Sequence, residues 1–363
     1  MIARRAFLRR TGALAGLVFV GCELLGGARA EARRREVFVR GKRVRTVDVH
    51  AHCAVPEALA LLNLKLGGPS LRPDLDIVAE VAGRLRAMDE QGIDVQALSI
   101  HPNWYKADRD LARQIVTLQN ERLAEVCAAH PARFVAFATV ALQHPDLAAE
   151  QLEVGMKKYG LRGAAIGGTV NGDELSDPKF HPFWEKAEQL GAVVFLHPQG
   201  DAAPAPLQQR LKGNGYLEDV IGTPLETTIA LSHLIFEGTL DRFPRLRIVA
   251  AHAGGFLASS PGRSDHGCLT RPDLCPGGRH GPIRRRPSEY LRQLYYDTMV
   301  FEPEGVRHLV ATVGAGRLLV GSDYPYPWTK TAVDLILHTP GLSDGDRAAM
   351  LGGTAARLLG IKA

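Results

Sequence analysis

Two histidines flank a single alanine at the end of an apolar run, Thr46-Val47-Asp48-Val49-His50-Ala51-His52. Side chains of a strand alternate between its faces, so Asp48, His50 and His52 are expected on one face, where two imidazoles can grip one metal ion. The same ending recurs down the chain. Val193-Val194-Phe195-Leu196 runs into His197, Ile248-Val249-Ala250-Ala251 into His252, and Leu318-Leu319-Val320-Gly321-Ser322 into Asp323. Imidazoles and a carboxylate suit one Zn²⁺ per chain, with Mn²⁺ as the alternative ion, and leave positions open for water and substrate. A divalent ion so held draws the pKa of a coordinated water toward neutrality. Chemistry there also needs a group that moves protons, and His252 is the candidate.

The elements that must position these residues alternate. Apolar runs predict strands over 46–50, 95–100, 134–139, 163–166, 193–197, 248–252, 294–297 and 318–322. Between them, residues 76–91 carry Ile77, Val81, Leu85 and Met88 at helical spacing, and 108–129, 145–159, 180–190, 224–238 and 303–313 behave likewise. Eight strands alternating with helices predict an α/β fold, a (β/α)8 TIM barrel over residues 46–363. The typical barrel needs about 250 residues, which leaves room for insertions at 53–75, 198–222 and 257–290. All three follow strand C-termini, the face on which barrel active sites lie.

The chain has 363 residues, 45% of them hydrophobic and 23% charged, with a formal net charge of +5. That composition is ordinary for a globular enzyme. The charge is concentrated at the start. Residues 1–30 hold Arg4, Arg5, Arg9, Arg10 and Arg29 against Glu23, a net of +4, so the remainder carries only +1. A nucleic-acid partner has no general electrostatic support. Arg4-Arg5 before an apolar stretch, then Ala28-Arg29-Ala30, predicts a twin-arginine export signal cleaved after Ala30. Gly21-Cys22 offers an alternative, a lipid anchor through Cys22. The apolar stretch is too short for a stable membrane span. Residues 31–45 are expected to be a basic, solvated linker. Cys268 and Cys275 share a loop in which an oxidising compartment would permit a disulfide. His266 and His280 lie near them, but the spacing fits no standard zinc motif.

Beyond residue 45 the motifs carry a family resemblance. They include the His50-Ala51-His52 pair, Met88-Asp89-Glu90-Gln91-Gly92-Ile93-Asp94-Val95-Gln96, Asn120-Glu121-Arg122-Leu123 and Leu161-Arg162-Gly163. They continue through Phe195-Leu196-His197-Pro198, Pro224-Leu225-Glu226-Thr227-Thr228 and Ala251-His252-Ala253-Gly254-Gly255. Pro287-Ser288-Glu289-Tyr290 and Gly321-Ser322-Asp323-Tyr324-Pro325 close the series. In this order they resemble the amidohydrolase superfamily, in its aminocarboxymuconate-semialdehyde decarboxylase-like branch. The resemblance implies one metal bound by His50, His52, His197 and Asp323, with His252 as acid/base and Asp323 also as proton carrier. It implies that Arg72 and Arg263, with Arg271 as a third, hold substrate carboxylates, since a guanidinium can pair both oxygens of one carboxylate. In the family the latter two reach a neighbouring subunit's site, which implies a homodimer. Binuclear members place a lysine at the end of strand 4; here that strand reads Arg162-Gly163-Ala164-Ala165-Ile166-Gly167, and Lys157 and Lys158 precede it on a helix. The chain departs from the decarboxylase at Gln199, where an aromatic residue is usual, at Tyr326 for phenylalanine and at Ala253 for glycine.

The expectation is therefore an exported zinc-dependent decarboxylase (carboxy-lyase) acting on an unsaturated or aromatic small-molecule carboxylic acid. The alternative is a metal-dependent hydrolase of a lactone, ester or amide on the same site. A non-catalytic barrel is disfavoured because all five metal and proton-transfer positions are intact.

Overall fold

The computed structural model describes residues 34–67, 71–199, 205–275 and 283–362. The export signal, Cys22 and His280 lie outside the described residues.

Eight parallel strands form the centre: β1 (Val47–His52), β2 (Val95–Ser99), β3 (Phe134–Ala136), β4 (Gly163–Ile166), β5 (Val193–Leu196), β6 (Arg247–Ala250), β7 (Tyr295–Asp297) and β8 (Leu318–Leu319). β1 to β3 pair in order, and so do β4 to β8. Two seams close the ring. Ala138 bridges to Ala164 between β3 and β4, and Asp48 bridges to Val320 between β1 and β8. The second seam carries a Val49 N–H to Val320 carbonyl bond of 2.9 Å and an Asp323 N–H to His50 carbonyl bond of 2.8 Å. The expected (β/α)8 barrel is thus present, with its strands in chain order.

Alternation along the strands sorts the core into two layers. Val47, Val49, Val95, Ala97, Phe137, Val193, Phe195, Val249 and Leu319 form an inner cluster closed by Ala355 and Leu359. The alternate residues Leu98, Ala136, Ala164, Val194, Leu196, Ile248, Ala250 and Val320 pack outward into the larger cluster with the helices. These helices are α1 (Val81–Gln91), α2 (Arg109–Ala129), α3 (Pro145–Lys157), α4 (His181–Leu190), α5 (Thr223–Phe236), α6 (Pro261–Thr270), α7 (Pro303–Val313) and α8 (Thr354–Leu359). The α2 N-terminus is capped by Asp108, which accepts from Asp110 N–H and Leu111 N–H. The α1 helix starts later than its apolar spacing predicts. Asp76 accepts from the N–H groups of Val78 and Ala79, holding that stretch in a turn instead. Among the described residues no helix is long and apolar enough to cross a membrane.

Two expectations need correction. Asp48 does not share a face with the histidines. The β1–β2 register shifts between Asp48 and Ala51, and such a bulge reverses the phase of the strand beyond it. Asp48 consequently sits with Gln96 and Ser322, accepting from Gln96 Nε2 at 3.0 Å and Ser322 Oγ at 2.6 Å. The second correction concerns residues 34–45, which belong to the same compact unit as the barrel. Phe38–Val39 and Lys42–Arg43 form an antiparallel hairpin, and Val37 and Val39 are buried. Part of the basic charge is paired with carboxylates, while Arg40 and Lys42 stay exposed. Arg34 and Arg43 pair with the buried Asp94, and Arg35 pairs with Asp334.

The insertion after β6 contains α6 and the Cys268–Cys275 disulfide. His266 of this helix is exposed.

Candidate metal centre

The bulge in β1 turns His50 and His52 together into the mouth of the barrel. Their Nε2 atoms lie 3.0 Å apart. Asp323 Oδ1 lies 3.1 Å from His50 Nε2 and 2.8 Å from His52 Nε2. One donor atom from each of His50, His52, His197 and Asp323 falls within 4.8 Å of all the others, and all four residues are buried.

The second nitrogen of each imidazole shows how the three rings are aimed. His50 Nδ1–H donates to Asp297 Oδ2 at 2.7 Å. His197 Nδ1–H donates to the Pro198 carbonyl at 2.7 Å. Ser99 Oγ donates to the Ala51 carbonyl and lies 3.1 Å from His52 Nδ1, whose proton it accepts. Every Nδ1 therefore carries a proton, and Nε2 is the nitrogen that each ring can offer to an ion in the same space. His197 Nε2 is buried with no hydrogen-bond partner. These residues fit a divalent ion: three neutral imidazoles, one carboxylate and an orphaned ligand atom.

Asp297, at the end of β7, is the hub of the site. Besides His50 it accepts from the N–H groups of His252 (2.9 Å), Ala253 (2.8 Å) and Met299 (3.1 Å). Those bonds hold His252 and Ala253 at φ values of 52° and 57°, where a non-glycine residue costs roughly 1–2 kcal/mol. Gly255 completes the turn at φ 66°, and a Cβ there would meet the Pro224 carbonyl at 2.0 Å. The turn directs His252 Nε2 to 3.8 Å from Asp323 Oδ2. Asp323 is itself left-handed, at φ 58°, held by its N–H bond to His50.

Electrostatics follow the same geometry. Burial opposes charge on His50, yet the carboxylates of Asp323 and Asp297 raise its pKa to about 10. Burial lowers His52 to about 4 and takes His197 well below its ordinary value. Burial alone would raise Asp323, but His50, His252 and His52 hold it well below the usual carboxylate range.

The structure brings together His50, His52, His197, His252 and Asp323, and it places Arg72 at the rim. Arg72 forks onto Asp74 at 2.9 and 2.7 Å, and its charge reaches the phenol groups of Tyr326 and Tyr216. Arg263, on α6, is exposed. Arg271 pairs with Asp273 at the surface. Where a bridging lysine would stand, β4 is followed by Gly167-Gly168. Their missing side chains make room for Gln199 and Glu226, which a Cβ would meet at 2.6 and 2.7 Å. This leaves the end of β4 without a side chain to ligate a second ion.

Sequence reasoning missed three residues. Asp297 ends a predicted strand, Ser99 lies in another, and His101 follows the apolar run Val95–Ile100. The strand-end rule that found the ligands could have found Asp297 and His101. The His101 ring packs 4.1 Å from the His52 ring centroid and stacks on His197 at 4.7 Å.

Comparison with known proteins agrees with this architecture. Residues 47–361 match the family model Amidohydro_2, described as amidohydrolase. A 2-amino-3-carboxymuconate-6-semialdehyde decarboxylase from Dictyostelium discoideum is 32% identical over 77% of this chain and 76% of its own length. The solved structure of 5-carboxyvanillate decarboxylase from Sphingomonas paucimobilis superposes with a TM-score of 0.78 at 26% identity, covering 88% of this chain and 100% of that one. A manganese-bound dihydroxybenzoic acid decarboxylase from Polaromonas sp. gives a TM-score of 0.73 at 27% identity, covering 88% and 98%. The chain belongs to the amidohydrolase family.

Proposed function

We propose that the protein is a metal-dependent decarboxylase of an aromatic or otherwise unsaturated carboxylic acid. The observation that carries this reading is the pairing of an aimed ligand set with a separate proton-handling group. His252 Nε2 stands 3.8 Å from the ligand Asp323 without belonging to the four-atom cluster. The decarboxylases among its relatives favour this reaction over hydrolysis of a lactone, ester or amide, which would need the same five residues.

A divalent ion bound by His50, His52, His197 and Asp323 supplies Lewis acidity and orients an anionic substrate. The residues do the rest. Arg72 is the proposed partner of a substrate carboxylate or its distal substituent, which would compete with Asp74 for its guanidinium. His252, as imidazolium, gives its proton to the carbon that bears the carboxylate. The bond to the carboxylate then breaks, its electron pair returns to the unsaturated system, and carbon dioxide leaves. Asp323 Oδ2, 3.8 Å from His252 Nε2, is the neighbouring carboxylate that helps return a proton from water to His252 after each turnover. The rings of His52 and Tyr326 pack edge to face beside the ligand set.

Zinc is the proposed native ion, on the strength of its three-imidazole, one-carboxylate set; the manganese in the Polaromonas relative makes Mn²⁺ the ion to compare. Association into a homodimer, with Arg263 reaching the neighbouring site, is part of the same proposal. The test is a panel of aromatic carboxylic acids, esters and lactones, with carbon dioxide release and ester cleavage read side by side. Carbon dioxide release from an acid that is lost on chelation supports the reading. Metal-dependent cleavage of a lactone or ester, with no carbon dioxide from any acid, replaces it with the hydrolase.

A further inference from the structure

Besides His252, one more imidazole at the mouth takes no part in the ligand set. His101 lies two residues beyond Ser99, whose hydroxyl anchors His52. Its ring is nearly parallel to that of His197, at 4.7 Å and 25°, and tilted against His52 at 4.1 Å. The Tyr326 ring is also nearly parallel to it, at 6.2 Å and 19°. Contact with these rings fixes the plane of the imidazole. The segment behind it is braced as well: Asn103 N–H donates to the His101 carbonyl, and Gln199 Nε2 reaches the Pro102 carbonyl at 3.4 Å. Gln199 is the residue that stands where the resemblance leads one to expect an aromatic. Yet His101 Nε2 is buried and hydrogen-bonded to nothing, and it is outside the group of atoms able to share one ion. A held, buried and unpartnered polar atom calls for a partner that arrives later.

We propose that His101 is a specificity-determining residue whose Nε2 hydrogen-bonds a hydroxyl group ortho to the carboxylate of an aromatic substrate. The inference rests on the decarboxylase reading above. The contact with two ligand rings sets the position. A substrate group that reaches the ion leaves only its immediate neighbour on the ring within reach of His101. The chemistry sets the substituent. A carboxylate is met by the ion and by Arg72, whereas a hydroxyl can either donate to or accept from an imidazole nitrogen.

The experiment measures binding and metal content rather than turnover. Metal-loaded protein is titrated calorimetrically with benzoate and with 2-hydroxybenzoate, and the same samples are analysed for metal. Wild type is compared with His101→Phe, which keeps a flat ring without a hydrogen-bonding nitrogen, and with His101→Asn, which restores a polar atom. Wild type is expected to bind 2-hydroxybenzoate about tenfold more tightly than benzoate, the scale of one net hydrogen bond. In His101→Phe that preference should disappear with benzoate affinity and metal content unchanged, and His101→Asn should recover part of it. An unchanged preference in His101→Phe, equal weakening of both acids, or loss of metal overturns the specificity role. If wild type binds neither acid, the aromatic-acid reading itself fails and takes the proposal with it.

Discussion

Asp297→Asn tests the hub of the metal centre with almost no change of shape. The carboxylate is fully buried and accepts four N–H groups: His50 Nδ1, His252, Ala253 and Met299. An amide offers one accepting oxygen and one donating nitrogen. If its oxygen stays with Ala253 and Met299, its NH₂ faces His50 Nδ1 and the His252 N–H. His50 can answer only by moving its proton to Nε2, which removes the lone pair that would bind the ion, and the His252 N–H still lacks an acceptor. If the amide flips, the Ala253 and Met299 N–H groups lose theirs. A buried donor left without a partner costs about 1–3 kcal/mol, and loss of such a supporting carboxylate lowers metal affinity by about 10–100-fold. Metal affinity is read by competition with a chromogenic chelator, and stability by thermal unfolding in chelator. Ser99→Ala, which removes only a neutral acceptor from His52, should weaken metal binding less. Wild-type affinity together with wild-type stability in Asp297→Asn would refute the argument, because it would mean that the His50 tautomer is set elsewhere.

The remaining predictions concern protons, ligands and subunits. His197→Ala should lose most of its metal, whereas His252→Ala should keep it and lose about 10²-fold or more in turnover; elemental analysis beside a rate assay separates the two. Metal uptake at neutral pH should release one proton, because His50 stays charged up to about 10 while His52, at about 4, and Asp323 are already deprotonated. Affinity should then rise about tenfold per pH unit below that value and level off above it. Titration with an indicator dye that shows no proton release would contradict this. The same raised pKa stabilises the metal-free fold below about 6.5 and is lost as pH climbs through about 10, so apo stability should fall over that window. Finally, inactive Arg263→Ala and inactive His252→Ala chains, mixed and allowed to exchange, should regain activity if Arg263 serves the neighbouring site. No recovery after demonstrated exchange would leave Arg263 as a surface residue.

The barrel and its ligands were legible because both are written as periodicity. Apolar runs ending in His50-Ala51-His52, His197 and Asp323 mark strand ends, and strand ends of a barrel converge on one mouth. Simple alternation failed at β1, where a one-residue bulge moves Asp48 to the helix side. No pattern of residue types announces a register shift that depends on how β1 pairs with β2 and β8. The hairpin at 38–43 was hidden for a different reason. Its Arg43 looks solvated until the buried Asp94, some fifty residues away in sequence, is seen to face it. His101 and Asp297 obey the same strand-end rule as the ligands. Their significance comes from rings and N–H groups supplied by other strands, which a linear reading does not bring together.

The most direct test of the account is decarboxylation followed in deuterium oxide. Metal-loaded wild-type protein, protein stripped by chelator, stripped protein restored with zinc, and the His252→Ala variant are each given the acid that releases carbon dioxide. The account predicts one carbon dioxide per product and one deuterium at the carbon that lost the carboxylate. It also predicts loss of activity on stripping, recovery with zinc and a defect of about 10²-fold or more in the variant. Carbon dioxide release that survives complete metal removal, or a variant as active as wild type, would contradict it.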